Sequence, residues 1–398
     1  MKLLEGIRVI DFTQAHAGSL CTMILADFGA EVIKVEKPGS GDSARRWAPL
    51  KNGSSGYFTY LNRGKKSIAV NASAEEGRKI LFDLIKGADI VTENFKYGNM
   101  ERLGLSYDKV KAINPEIIYA SLSGYGQTGP LKEKVGIDLP LQAASGLMDR
   151  TGFPDGAPVK AGPALGEHIS GTYMALGIIL ALIEKKKTGK GQSIDVSIMD
   201  SLYSVLETAP VTFCMTGEVH PRLGNGDAAV TPYDTFKTKD GYVAIGISAD
   251  SQWKKFCDVM GMEDLKKDER YKTNELRSVN YEKGLRKSIE EVMVTMSKFE
   301  VQEKLRDARL ACSAVYSVAE AMETEPIKER RMLTEVYDEG VGETIRIPGT
   351  VIKMQETPGG FNEGAPLLGK HTRYYLEGLG YTEEEIGKLI DKKVIEVA

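Results

Sequence analysis

The opening 122 residues alternate short apolar runs with helical stretches, and no other feature narrows the fold as far. Ile7-Arg-Val-Ile-Asp-Phe12 reads as a buried strand, Ser19–Phe28 as an amphipathic helix ending at Gly29, and Glu31-Val-Ile-Lys-Val-Glu36 as a second strand. Gly77–Lys86 then reads as helix, with Asp89–Phe95 and Glu116–Leu122 as further strands. Strands separated by single helices require parallel pairing with right-handed crossovers, which predicts an α/β fold. Ligands of such sheets bind where the strands end at their carboxyl edge. The loops after Phe12, Glu36, Phe95 and Leu122 are therefore the places to look for chemistry.

Further along, Ser193–Ser197 reads as a strand followed by a helix, after which the character changes. Residues 221–245 are rich in Gly, Pro and aromatics, with a hairpin expected around Asp240-Gly241. Residues 250–310 read as charged amphipathic helices, and the remainder returns to mixed strand and helix. This pattern predicts a smaller α+β domain over 225–310, set between two parts (1–210 and 325–398) of a larger one.

The net charge of −4 argues against nucleic acid as a partner, because phosphate neutralisation needs a basic surface. Four scattered cysteines, with no C-x-x-C pair, fit neither a disulfide framework nor a zinc site and suit a reducing cytosol. The four histidines form no i, i+4 pair, so no metal site is expected. The first residues carry charges unlike a signal peptide, and the apolar run within 173–183 is too short to span a bilayer. A cytoplasmic protein without membrane partners is expected.

Gly39-Ser-Gly-Asp-Ser-Ala44 matches a dinucleotide fingerprint only formally, since Lys37-Pro38 precede it and Arg45-Arg46-Trp47 break the required helix. There is neither a P-loop nor a G-x-S-x-G elbow. More suggestive are basic residues near strand ends, Lys37, Arg45, Arg46, Lys65, Lys66, Lys96 and Arg102. Such residues grip polyphosphates through charge-assisted hydrogen bonds, although solvated loops carry the same composition. In "ALGEHISG" (164–171), Glu167 stands at the expected start of a helix near Ile169 or Ser170. There it could serve as a capping acid or as an ionised reactive group.

Several stretches together resemble the family III CoA-transferases. They include "LLEGIRVIDFTQAHAG" (3–18), "ADFGAEVIKVEKPGSGDSARRW" (26–47), "NRGKKSIAVN" (62–71), "ENF" (93–95) and "ERLGLSYD" (101–108). "SGYGQTGP" (123–130), "TGKGQSIDVS" (188–197), "PLLGKHT" (366–372) and "LGY" (379–381) continue the match in order. The resemblance implies a Rossmann-like large domain built from both chain ends, a smaller inserted domain, and a homodimer of interlocked subunits. It implies acyl-CoA and a carboxylic acid as substrates, with no tightly bound cofactor. It also makes His16, Ala17, Lys37, Ala72, Asn94, Phe95, Lys96, Arg102, Ile137 and Asp138 the CoA-contacting set, with Arg45 added from "GDSARRW".

The family nucleophile, an aspartate, aligns with Glu167. The implied chemistry is attack on the thioester, a mixed anhydride, and then a glutamyl-CoA thioester. The related racemase branch carries a base histidine in a "GHD" segment; here the segment is Gly136-Ile137-Asp138, and isoleucine removes no proton. A CoA-binding homologue with lost or altered activity is the alternative that the Asp-to-Glu departure raises. A loop that closes over the nucleophile in the family maps onto Gly224, Asn225 and Gly226. Formyl-CoA transferases carry a purer glycine run there, which argues against the oxalate and formyl-CoA pair.

Overall fold

The computed structural model describes residues 2–398, which fall into two compact units. The larger comprises residues up to 147, 160–211 and 325–398; the smaller comprises 148–159 and 212–324. In the larger unit the strands are β1 (Arg8–Asp11), β2 (Glu31–Glu36), β3 (Lys66–Val70), β4 (Ile90–Glu93), β5 (Ile118–Ser123) and β6 (Ser193–Ser197). They form one parallel sheet in the order β3-β2-β1-β4-β5-β6, with the short C-terminal strand Ile395–Glu396 added antiparallel beside β3.

Successive residues of these strands face opposite sides of the sheet, and both sides are covered. Ile10, Ile33, Ile68 and Val91 pack beneath Ile80, Leu81 and Leu84 of the helix Glu75–Lys86, together with Leu376 and Ile386 from the C-terminal helices. Val9, Val32, Ile90 and Ile118 face the other way, toward α1 (Ala17–Asp27) and the long helix α3 (Leu165–Thr188). The 24 residues of α3 are apolar enough to cross a membrane, yet its Gly171 lies against α1 so closely that a side chain there would strike the Ala17 carbonyl. Its charges follow the helix dipole, with Glu167 in the first turn and Lys185, Lys186 and Lys187 in the last.

The strand order reverses between β1 and β4. At such a point neighbouring crossovers lie on opposite faces and leave a crevice at the carboxyl edge. Here the two loops are tied together: Gln14 N–H donates to Asn94 Oδ1 and Asn94 Nδ2 donates to the Gln14 carbonyl, each at 2.8 Å. Ala15 adopts a left-handed φ of 58°, and its N–H donates to the Asp42 carboxylate at 3.2 Å.

The smaller unit has its own core. Strands β7 (Tyr233–Lys237), β8 (Tyr242–Gly246) and β9 (Ala311–Ala314) form an antiparallel sheet with β8 in the centre. Phe236, Val243 and Ile245 from this sheet bury against Trp253, Phe256, Ile289, Val301 and Leu305 of the surrounding helices.

Candidate functional site

The helix α3 starts at Leu165, four to five residues earlier than the sequence pattern suggests, and this places Glu167 inside its first turn. Ala164 at the cap position has no side-chain oxygen to offer, so the cap comes from elsewhere. Asp138, the first residue of α2 (Asp138–Ala144), accepts the Gly166 N–H on Oδ1 at 2.8 Å and Gln142 Nε2 on Oδ2 at 2.6 Å. Gln142 in turn accepts the Ala161 N–H at 2.8 Å. Asp138 is thereby a positioning group for the segment that carries Glu167.

Gly166 is buried against α4 (Ile198–Ser204). A Cβ there would lie 2.8 Å from Ile198 Cγ2 and 2.7 Å from Leu202 Cδ1, so only glycine lets the first turn of α3 approach this closely. Burial holds the Glu167 carboxyl above the ordinary carboxylate range, and the nearby charge of Asp138 adds to the effect. The result is a poorly solvated carboxylate on a rigid helix start.

A cavity of about 230 Å³ opens beside it at the carboxyl edge of the sheet. Of the residues expected from sequence, His16, Ala17, Asn94, Phe95, Lys96 and Ile137 line it together with Glu167. His16 Nδ1 lies 2.6 Å from the Tyr57 hydroxyl, and its ring centroid is 5.8 Å from that of His168. Burial, helped by His168, pushes the His16 imidazole down to about 4, so it is neutral at physiological pH. His16 therefore places no competing cation beside the nucleophile candidate.

The remaining candidates stand apart from this cavity. Lys37 is exposed and lines a different one, with Asn71 and Lys393, while Ala72 is half-buried just beyond β3. Arg102 is exposed on a short helix, with its guanidinium against Asn99. Arg45 makes two 2.7 Å bonds to Glu36 and sits 3.9 Å from the centre of the Phe58 ring, so its donors are largely committed within the protein. Lys65 corrects the grouping of basic loop residues. Its ammonium is enclosed and bonded to Asp11, Thr22, Asn62 and the Ser19 carbonyl, which leaves nothing for a phosphate.

Gly224, Asn225 and Gly226 belong to the smaller unit. There the Gly224 N–H donates to the Gly152 carbonyl at 2.9 Å, and Asn225 Nδ2 to Thr235 Oγ1 at 2.8 Å. Among the described residues no cluster of three or more metal-ligating side chains occurs. Tyr57, Ser123, Lys132 and Lys134 are close to or within the cavity wall but were not singled out from sequence. Tyr57 lies 41 positions from His16, and no local pattern announces that pairing.

A half-buried carboxylate on a helix start, beside a cavity that crosses the switch point of a parallel sheet, can attack an electrophilic carbonyl and be acylated. The profile of CoA-transferase family III matches residues 4–372. A succinyl-CoA:glutarate CoA-transferase of Mus musculus is 36% identical over 402 residues, covering 100% of this chain and 91% of the relative. A succinyl-CoA:mesaconate CoA-transferase of Haloarcula hispanica is 37% identical, covering 96% of this chain and 97% of the relative. The crystal structure of a CAIB/BAIF family protein from Brucella suis superposes with a TM-score of 0.87 at 34% identity, covering 95% of this chain and 99% of that one.

Proposed function

We propose a route for the reaction from one premise: this chain belongs to CoA-transferase family III and is an enzyme that moves coenzyme A between carboxylic acids. Glu167 is the covalent relay. Its carboxylate attacks the carbonyl carbon of the donor thioester; a C–O bond forms, the C–S bond breaks, and CoA leaves as thiolate. The thiolate then attacks the Glu167 carbonyl of the mixed anhydride, releasing the donor acid and leaving a glutamyl-CoA thioester. The acceptor carboxylate repeats the sequence in reverse: it displaces thiolate from Glu167, and the thiolate takes the acceptor's acyl carbon and frees the Glu167 carboxylate. No proton or electron is gained or lost overall, so the chain needs a nucleophile, a cavity that excludes water and a hold on CoA. The absence of a general base at Ile137 is consistent with this balance.

The observation that carries the reading is the placement of Glu167, a poorly solvated carboxylate on the first turn of α3 in the wall of the cavity. Coenzyme A follows the cavity past Asn94, Phe95 and Lys96, with Lys37 and Arg102 toward its phosphates. The named donors of the two relatives favour a short dicarboxylic acid thioester as substrate. Two copies form the functional unit. Tyr173, Leu176, Leu180 and Ile183 leave an apolar stripe along α3 that is 43–59% exposed in the single chain, a suitable surface for a second copy. The test is a panel of succinyl-, glutaryl- and acetyl-CoA donors against C2–C6 mono- and dicarboxylic acceptors, with Glu167→Gln beside the unaltered enzyme. Loss of transfer in the variant, with CoA binding kept, is the expected result; full transfer by Glu167→Gln refutes the relay.

A further inference from the structure

β4 ends in a carboxylate that the transfer chemistry does not use. Glu93 is 4% exposed, and among the described residues it forms no ion pair. Its Oε2 accepts the Phe95 N–H at 2.8 Å, and Ser121 stands opposite it on the neighbouring strand β5. Glu93 also lines a second cavity of about 330 Å³ beside the first, and Lys96 and Tyr97 belong to the walls of both. The turn 94–97 is thus a partition between the two cavities. One side of it is tied to the β1 loop through Asn94 and Gln14, and its base is held by Glu93.

We infer that Glu93 is a positioning residue for CoA transfer: by accepting the Phe95 N–H it sets the Asn94–Tyr97 turn that walls the Glu167 cavity, and it does so best when ionised. The inference rests on the Glu167 cavity being the transfer site. A hydrogen bond to an ionised acceptor is about twice as strong as a neutral one, so protonating Glu93 loosens this turn. The groups facing Glu93 give its proton an unusual range. Asp195 on β6 repels the charge, burial keeps the Tyr119 phenol on β5 protonated, and Tyr107 and Glu101 complete the titratable side chains of this wall. Lys96 is the one cation on the cavity wall, and it is exposed to solvent. Burial, with Asp195 adding, raises the carboxyl to about 7 even though Ser121 and Phe95 favour the charge. Near neutrality the partition therefore alternates between a tightly and a loosely held form.

Equilibrium binding of CoA by calorimetry, together with kcat and KM, tests this between pH 5.5 and 8.5 in the full-length enzyme and in Glu93→Gln. The phosphates of CoA titrate in the same window, so the reading is the difference between the two proteins. The expected result is a roughly fivefold gain in CoA affinity from pH 6 to 8 that Glu93→Gln lacks, seen mainly in KM. Ser121→Ala, which keeps the carboxylate but removes the neighbouring hydroxyl that favours its charged form, moves the midpoint of that gain to higher pH. A purely structural Glu93 would shift no midpoint. Superimposable pH curves for the unaltered enzyme and Glu93→Gln overturn the inference. Failure of the site reading shows separately, as full transfer by Glu167→Gln.

Discussion

Replacing Gly166 by alanine is the sharpest structural perturbation of the proposed nucleophile that leaves its chemistry untouched. The added methyl would lie 2.7 Å from Leu202 Cδ1, 2.8 Å from Ile198 Cγ2 and 2.9 Å from Leu202 Cγ. Carbon atoms in contact prefer roughly 3.5–4.0 Å, so each approach is too close by more than half an ångström. Neither neighbour can retreat cheaply, because Leu202 is 0% and Ile198 5% exposed. Overpacking of this kind costs about 1–3 kcal/mol. The strain falls one residue before Glu167 and on the N–H that Asp138 holds. Displacing the carboxylate by about 1 Å costs roughly 100-fold in rate.

Urea unfolding and kcat/KM with the best donor–acceptor pair measure the two effects. Gly162→Ala is the control, since a methyl there meets nothing within 4 Å. The expected outcome is a lower unfolding midpoint and a rate down by one to two orders of magnitude for Gly166→Ala alone. Unchanged stability and rate in Gly166→Ala would show that the first turn of α3 is not held by this packing, and the positional argument for Glu167 would fall with it.

Glu167→Asp shortens the relay by one methylene; on this backbone transfer falls roughly 100-fold in steady-state assays, and a faster enzyme would mean that the helix start is set for aspartate. Asp11→Ala strands the enclosed Lys65 ammonium that Asp11 faces at 3.2 Å, so urea unfolding should report a loss of about 3–5 kcal/mol. Glu93 binds its proton more tightly folded, about 7, than in an ordinary exposed setting at 4.5, so its contribution to stability falls as pH rises through that interval. Thermal melts of Glu93→Gln should match those of the unaltered enzyme near pH 4.5 and exceed them at pH 8, with a gain of up to about 3 kcal/mol.

The parallel sheet was readable because its strands are covered on both faces and therefore appear as unbroken runs such as Val9-Ile10 and Val32-Ile33. The hairpin at Asp240-Gly241 was readable for a local reason too: it closes between β7 and β8 with the Thr238 N–H donating to the Gly241 carbonyl at 2.9 Å. The start of α3 was not. Its cap comes from Asp138, 28 residues upstream, and Ala164 gives no signal of its own. Lys65 was grouped with surface cations because lysine is seldom enclosed, and only the fold brings Asp11, Thr22 and Asn62 around it. Glu167 drew notice from its neighbours in sequence, and the order of motifs along the whole chain is what proposes it as more than a cap. The cavity around it shows what that order could not: a wall shared by the β1 loop, the β4 loop and the first turn of α3.

The most direct test of the account is to look for coenzyme A on Glu167. The enzyme is incubated with a productive acyl-CoA and no acceptor, quenched in acid, digested and read by peptide mass spectrometry, with a parallel sample treated with hydroxylamine. A CoA thioester on the peptide containing Glu167, converted to a hydroxamate by hydroxylamine and lost when acceptor acid is added, is the predicted result. An enzyme that transfers CoA at full rate while that peptide stays unmodified, or carries the adduct on another residue, contradicts it.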